Sequence, residues 1–270
     1  MKILVTGAAG FLGSYVSDHL PGHQVHATTR NQLDLCDLAA VTETLEKGRY
    51  DVVINCAVAG REQLRSYEHA IYTNNLKGFY NLAINDQWYQ KLINVGSGAE
   101  FDIDQNIDQV KEIEIWNRVP QHSYGQSKNI IARLSTDFPK TVTLRLFGCF
   151  DPVESENRLL KRFRESTNNQ LPFALEQDRF FDMVSARDFV RVIEAVIDGT
   201  ITDRDLNVVY SQKYRLSEIL MLYSKLHGID TIFLHVQSSN ILNYTGNSDR
   251  LARYNLNLDN LEKSLLLYGK

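Results

Sequence analysis

Lys2-Ile3-Leu4-Val5-Thr6-Gly7-Ala8-Ala9-Gly10-Phe11-Leu12-Gly13 is the stretch on which the fold turns. An apolar run stops at Gly7, glycine returns at 10 and 13, and an amphipathic segment follows as far as Pro21-Gly22. The run is too short and too soon broken for the apolar region of a signal peptide. It reads as a buried strand, Ile3 to Thr6, a tight turn at Gly7, and a helix that begins by Gly13. A strand, a glycine turn and a helix N-terminus bring backbone N–H groups and the positive end of a helix dipole to one point. Missing side chains let a pyrophosphate approach that point closely.

The same alternation continues. Gln24 to Thr28, Asp51 to Asn55, Lys91 to Val95 and Thr141 to Leu146 read as strands. Helical spacing falls between them, at Asp37 to Lys47, Tyr67 to Ala83 and His122 to Asp137. Strands separated by helices imply right-handed crossovers and a parallel sheet, hence an α/β, doubly wound Rossmann-type domain. After Asp151-Pro152 the rhythm loosens into helical pieces at 155–166, 187–199, 216–228 and 258–269. The expected division is a dinucleotide-binding domain of residues 1–150 with 183–205. A smaller substrate-binding lobe, residues 151–182 and 206–270, should cover the carboxyl ends of the strands, where such sheets bind ligands.

With 270 residues, 43% hydrophobic and 23% charged, the chain can bury a substantial core. A net charge of −4, without a lysine and arginine cluster, argues against nucleic acid or an anionic membrane as partner. No apolar run approaches the roughly eighteen residues of a transmembrane helix. Cys36, Cys56 and Cys149 match no metal-ligand spacing, and a reducing cytoplasm is the expected compartment.

At the end of the second strand, dinucleotide sites that prefer NAD usually carry an acidic residue for the ribose hydroxyls. Here the chain reads His26-Ala27-Thr28-Thr29-Arg30, and the first carboxylate is Asp34. Thr29 and Arg30 can meet a 2′-phosphate, so NADP is expected, with NAD as the other possibility. Further along, Tyr124 and Lys128 stand four apart at the start of a helix, hence on one face. An ammonium beside a phenol favours the phenolate, and such a tyrosine can exchange a proton with a substrate oxygen. Ser97, at the end of the fourth strand, can donate a hydrogen bond to the same oxygen.

Taken together these motifs resemble the extended short-chain dehydrogenase/reductases, in their NAD(P)-dependent nucleotide-sugar epimerase, dehydratase and reductase branch. The resemblance covers nearly the whole chain. It implies that Thr6, Gly7, Gly10, Phe11, Leu12 and Gly13 form the cofactor loop. It implies that Asp37, with Leu38 beside it, contacts the adenine, and that Cys56, Ala57 and Asn75 flank the cofactor. Ser97, Tyr124 and Lys128 take the places of the catalytic residues. Tyr124 and Lys128 also contact the cofactor, Lys128 through the nicotinamide ribose. Relatives dimerise through the long helices, so a homodimer is expected.

Departures from the family pattern narrow the chemistry. Dehydratases carry an Asp-Glu pair just after the catalytic hydroxyl; here those positions are Gly98 and Ala99. Ala99 also stands where GDP-fucose synthase has its epimerising cysteine. Gly148 replaces an asparagine near the sugar-nucleotide phosphates, and Arg179 lies two residues before the usual arginine position. Ser97, Glu100, Gly148 and Arg179 are the expected substrate contacts. The expected activity is NADP-dependent reduction of the 4-keto group of a nucleotide-linked 6-deoxy sugar. A 4-epimerase with tightly held NAD is the alternative, and a non-catalytic NAD(P)-binding regulator is the alternative of another class.

Overall fold

The apolar run at the start of the chain is buried on both faces. Ile3, Leu4 and Val5 are fully inaccessible, as a central parallel strand requires. In a computed structural model, which describes residues 1–59, 68–230, 234–236 and 241–268, β1 (Lys2–Thr6) leads to α1 (Phe11–Asp18) and β2 (Gln24–Thr28). There follow α2 (Leu38–Gly48), β3 (Tyr50–Asn55), α3 (Glu68–Ala83), β4 (Tyr89–Ser97) and β5 (Ile107–Val110). Next come α4 (Ser123–Leu134), β6 (Thr141–Leu146), β7 (Cys149–Phe150), α5 (Leu159–Asn168), β8 (Phe173–Leu175) and β9 (Val184–Ser185). The last elements are α6 (Ala186–Ile197), β10 (Asp205–Val208), α7 (Leu216–His227), β11 (Leu234–Val236), β12 (Tyr244–Gly246), α8 (Asp249–Ala252) and α9 (Leu261–Tyr268). Two expected helix ends, Tyr67 and Gly269, lie outside the described residues.

The main sheet has six parallel strands in the order β10-β6-β4-β3-β1-β2. Alternate residues of β1 face opposite layers. Ile3 and Val5 pack with Val16 of α1 and Phe189 and Ile193 of α6. Leu4 packs with Val41 and Leu45 of α2 and Phe79 and Leu82 of α3. This is a doubly wound sheet. Residues 206–208, expected in the second lobe, belong instead to its outermost strand, because β10 pairs with β6 from Asp205 to Val208. A third cluster joins α5, α7 and α9 through Phe163, Tyr223, Leu265 and Tyr268. Three short strand pairs lie outside the main sheet, β8–β11, β5–β12 and β7–β9, and β5 is the one strand of these that precedes β6. No helix among the described residues is long and apolar enough to cross a membrane.

The register brings strand ends together. Thr6 lies opposite Thr28 and Asn55, Asn55 opposite Asn94, and Ser97 opposite Leu146. Carboxyl ends of five neighbouring strands thus open on one edge, and all the chemistry described below lies there.

Candidate active site

At the carboxyl ends of β1 and β3 a cleft of about 350 Å³ is lined by Thr6, Gly7, Gly10, Arg30, Asp34, Cys56, Ala57 and Asn75, among others. Its floor is built by close approach. Gly7 has φ +75°, and a Cβ there would lie 2.6 Å from the Ala57 nitrogen. A Cβ on Gly13 would lie 2.2 Å from the Gly7 carbonyl oxygen. Only glycine lets turn, strand and helix meet this tightly. Helix α1 starts at Gly10 without a side-chain cap and without an acidic residue in its first turn. Its leading N–H groups and dipole are therefore open to an anion. The residues fit a dinucleotide pyrophosphate.

Polar side chains brace the cleft. Thr6 Oγ1 donates to Asn55 Oδ1 at 2.9 Å, and Asn55 Nδ2 donates to Asn94 Oδ1 at 2.9 Å, tying three strand ends together. Asn75 accepts the Ala59 N–H at 2.8 Å and donates to Ser127 Oγ at 3.0 Å, linking α3 to α4 and to the loop after β3. Not every expected cofactor residue lines the cleft. Phe11 and Leu12 pack against the core. Thr29 is bound through both its N–H and its hydroxyl to Gln32 Oε1. The Asp37 carboxylate caps α2 by accepting the Ala40 N–H, and Leu38 is exposed. Arg30 does reach the rim, 70% exposed, with Asp34 3.8 Å from its guanidinium. The absence of a carboxylate inferred from sequence thus needs correction: Asp34 comes to the same rim by way of the turn.

Between the ends of β4 and β6 the structure brings Ser97, Tyr124 and Lys128 together. The Ser97 hydroxyl lies near the Tyr124 phenol and accepts the Ala99 N–H at 3.2 Å. Lys128 is buried and donates from Nζ to the Val95 carbonyl at 2.7 Å. The acidity differs from the sequence expectation. Burial raises the Tyr124 pKa, and the Glu100 charge adds to this while the Ser97 hydrogen bond opposes it. Burial also lowers the pKa of Lys128. Tyr124 is therefore held protonated, as a proton donor needs to be.

Glu100, expected to contact substrate, is turned inward. One of its oxygens accepts the Ser97 N–H at 2.7 Å and the other pairs with Nε of Arg145, which is completely buried. A Cβ on Gly96 would lie 2.8 Å from that carboxylate, so the glycine makes room for it. Arg145 also donates to Asn207 on β10 at 3.0 Å and lies over the Phe101 ring. The sequence reading missed this pair, although a charged residue inside Thr-Val-Thr-Leu-Arg-Leu was its signal. Gly148 is a packing position, where a Cβ would meet the Phe181 ring at 2.7 Å. Arg179 lies over the rings of Phe181 and Tyr244, and its buried Nε has no hydrogen-bond partner among the described residues. Tyr244, which no local pattern marks, brings its phenol from β12 over Gly98, next to Ser97 in the chain.

A glycine-lined anion cleft beside a Ser-Tyr-Lys cluster, on a doubly wound sheet, defines a dinucleotide-dependent enzyme of the extended short-chain dehydrogenase/reductase class. The chain belongs to the NAD dependent epimerase/dehydratase family, whose profile matches residues 3–209. Among curated proteins none matches the sequence significantly. The fold is similar to that of a dTDP-4-dehydrorhamnose reductase from Clostridium acetobutylicum, with 21% identity and a TM-score of 0.84 over 99% of this chain and 98% of that one. It is also similar to a GDP-mannoheptose C4 reductase from Campylobacter jejuni with NADP bound, at 16% identity, TM-score 0.81 and coverage of 99% and 96%. A UDP-glucose 4-epimerase from Thermotoga maritima shares 18% identity at TM-score 0.81, with coverage of 99% and 97%.

Proposed function

We propose that the protein is an NADP-dependent reductase of the 4-keto group of a nucleotide-activated 6-deoxy sugar. The observation that carries this reading is the Ser97–Tyr124–Lys128 cluster beside the glycine cleft, with a protonated phenol at its centre. When bound, the reduced nicotinamide supplies the hydride. Tyr124 gives its proton to the oxygen of the former carbonyl, and Ser97 orients that oxygen by donating a hydrogen bond. Lys128 holds positive charge beneath the site, which stabilises the phenolate that Tyr124 becomes. The same cluster cannot double as a dehydratase pair, because a Cβ on Gly98 would meet the Phe147 ring at 2.4 Å and the Tyr244 phenol at 2.8 Å. Arg30 at the rim supports NADP over NAD, and Arg179, whose Nε is unpartnered among the described residues, is the proposed contact for the substrate diphosphate.

Asp34 at the same rim favours a second reading, a 4-epimerase that retains NAD, since a carboxylate suits free ribose hydroxyls. One assay separates the two. NADPH oxidation is followed with nucleotide-linked 4-keto-6-deoxyhexoses, and 4-epimer pairs of sugar nucleotides are incubated without added cofactor. Oxidation in the first supports the reductase. Equilibration in the second, with none in the first, replaces it by the epimerase.

A further inference from the structure

Tyr244 is 4% exposed and is anchored at both ends of its residue. Its N–H donates to the Phe180 carbonyl at 2.8 Å, and its carbonyl accepts the Asp182 N–H at 3.1 Å. The ring is stacked on Phe181 at 5.2 Å and meets the edge of Phe147 at 5.2 Å. These contacts set the phenol over Gly98, where the missing Cβ makes the room, and so near the preceding residue, Ser97. Burial pushes the Tyr244 pKa upward, so it remains a donor throughout the working range of the site.

A hydroxyl has two acceptor positions and one hydrogen. The Ala99 N–H occupies one acceptor position of Ser97. We propose that Tyr244 is a positioning residue of the reactive centre: its phenol donates into the second acceptor position of Ser97 and so turns the single Ser97 hydrogen to the side on which Tyr124 and the substrate oxygen lie. In this way the part of the chain beyond β10 completes the geometry of a serine that stands more than a hundred residues earlier. The role assumes the reductase reading, but the proposed string Tyr244–Ser97–Tyr124 does not depend on which substrate binds.

The test uses Tyr244→Phe, which keeps the ring contacts, together with Ser97→Ala and the double variant. With NADPH and an accepted 4-keto sugar nucleotide, Tyr244→Phe should lower kcat about tenfold, the worth of one positioned hydrogen bond. The KM for NADPH should not change. The double variant should be no slower than Ser97→Ala alone, because Tyr244 acts only through Ser97. A kcat within twofold of wild type, or additive losses in the double variant, would overturn the proposal. A second readout is independent of turnover. In protein labelled at tyrosine Cζ, with the Tyr124 signal assigned from Tyr124→Phe, Tyr244→Phe should move that signal, and only when Ser97 is present. Ser97→Ala should move the Tyr244 signal even if Tyr244→Phe folds poorly. An unmoved Tyr244 signal in Ser97→Ala refutes the string. Moved signals without reduction of any sugar nucleotide would instead remove the reductase reading and leave the string standing.

Discussion

The two halves of the site are built by opposite means. The cleft at β1 and β3 owes its shape to side chains that are missing, at Gly7, Gly10 and Gly13, within a single strand–turn–helix unit. The reactive centre at β4 and β6 is shaped by large side chains brought from far along the chain. Asn207 holds Arg145, Arg145 holds Glu100, Glu100 holds the backbone of Ser97, and the Tyr244 phenol lies over the neighbouring Gly98. Backbone N–H groups suit a charged pyrophosphate, which needs many donors and tolerates solvent. A proton transfer needs one hydrogen in one direction, and buried packing can hold it there.

The largest effect that can break this contrast is on stability. Arg145→Met leaves the Glu100 carboxylate buried without its cation, and breaking a buried pair from one side costs about 3–5 kcal/mol. Urea unfolding measures this, and a loss under about 1 kcal/mol would show that the centre does not depend on the pair. Tyr124→Phe comes next. It should keep fold and NADPH binding yet reduce turnover by about a hundredfold or more. Lys128→Met should match that loss and also weaken the cofactor, by titration. Wild-type turnover in Tyr124→Phe would remove Tyr124 as proton donor.

On the cleft side the expected effects are smaller. In Gly13→Ala the new methyl meets the Gly7 carbonyl, and overpacking of this kind costs about 1–3 kcal/mol. The strain falls on the anion loop, so NADPH affinity should drop while the tyrosine signals of the reactive centre stay in place. Movement of those signals would mean the two regions are one unit. Arg30→Ala should have the smallest effect, removing a preference for NADPH over NADH of roughly tenfold, about 1.4 kcal/mol. Equal affinities of wild type for the two cofactors would leave the rim assigned to Asp34 and favour the epimerase.

The sequence by itself determined the doubly wound sheet, because hydrophobic runs, glycine turns and helix stops are local signals separated by short distances. Each of the five expected strands stands in the main sheet, and the spacing of Tyr124 and Lys128 on one helix face needed no tertiary knowledge. It also pointed to the glycine loop, since a residue that lacks a side chain has the same meaning wherever the chain folds. Only the tertiary structure decided the rest. β10 is four residues long and joins the sheet because β6 offers a free edge. Glu100 reads as a pocket residue until Arg145, forty-five positions away, draws its carboxylate inward. Asp34 reads as a residue beyond the strand end until the turn brings it within 3.8 Å of Arg30, and Tyr244 carries no mark until β12 sets its phenol over Gly98. Such contacts depend on the mutual placement of distant side chains, and the order of residues along the chain does not encode that placement one element at a time.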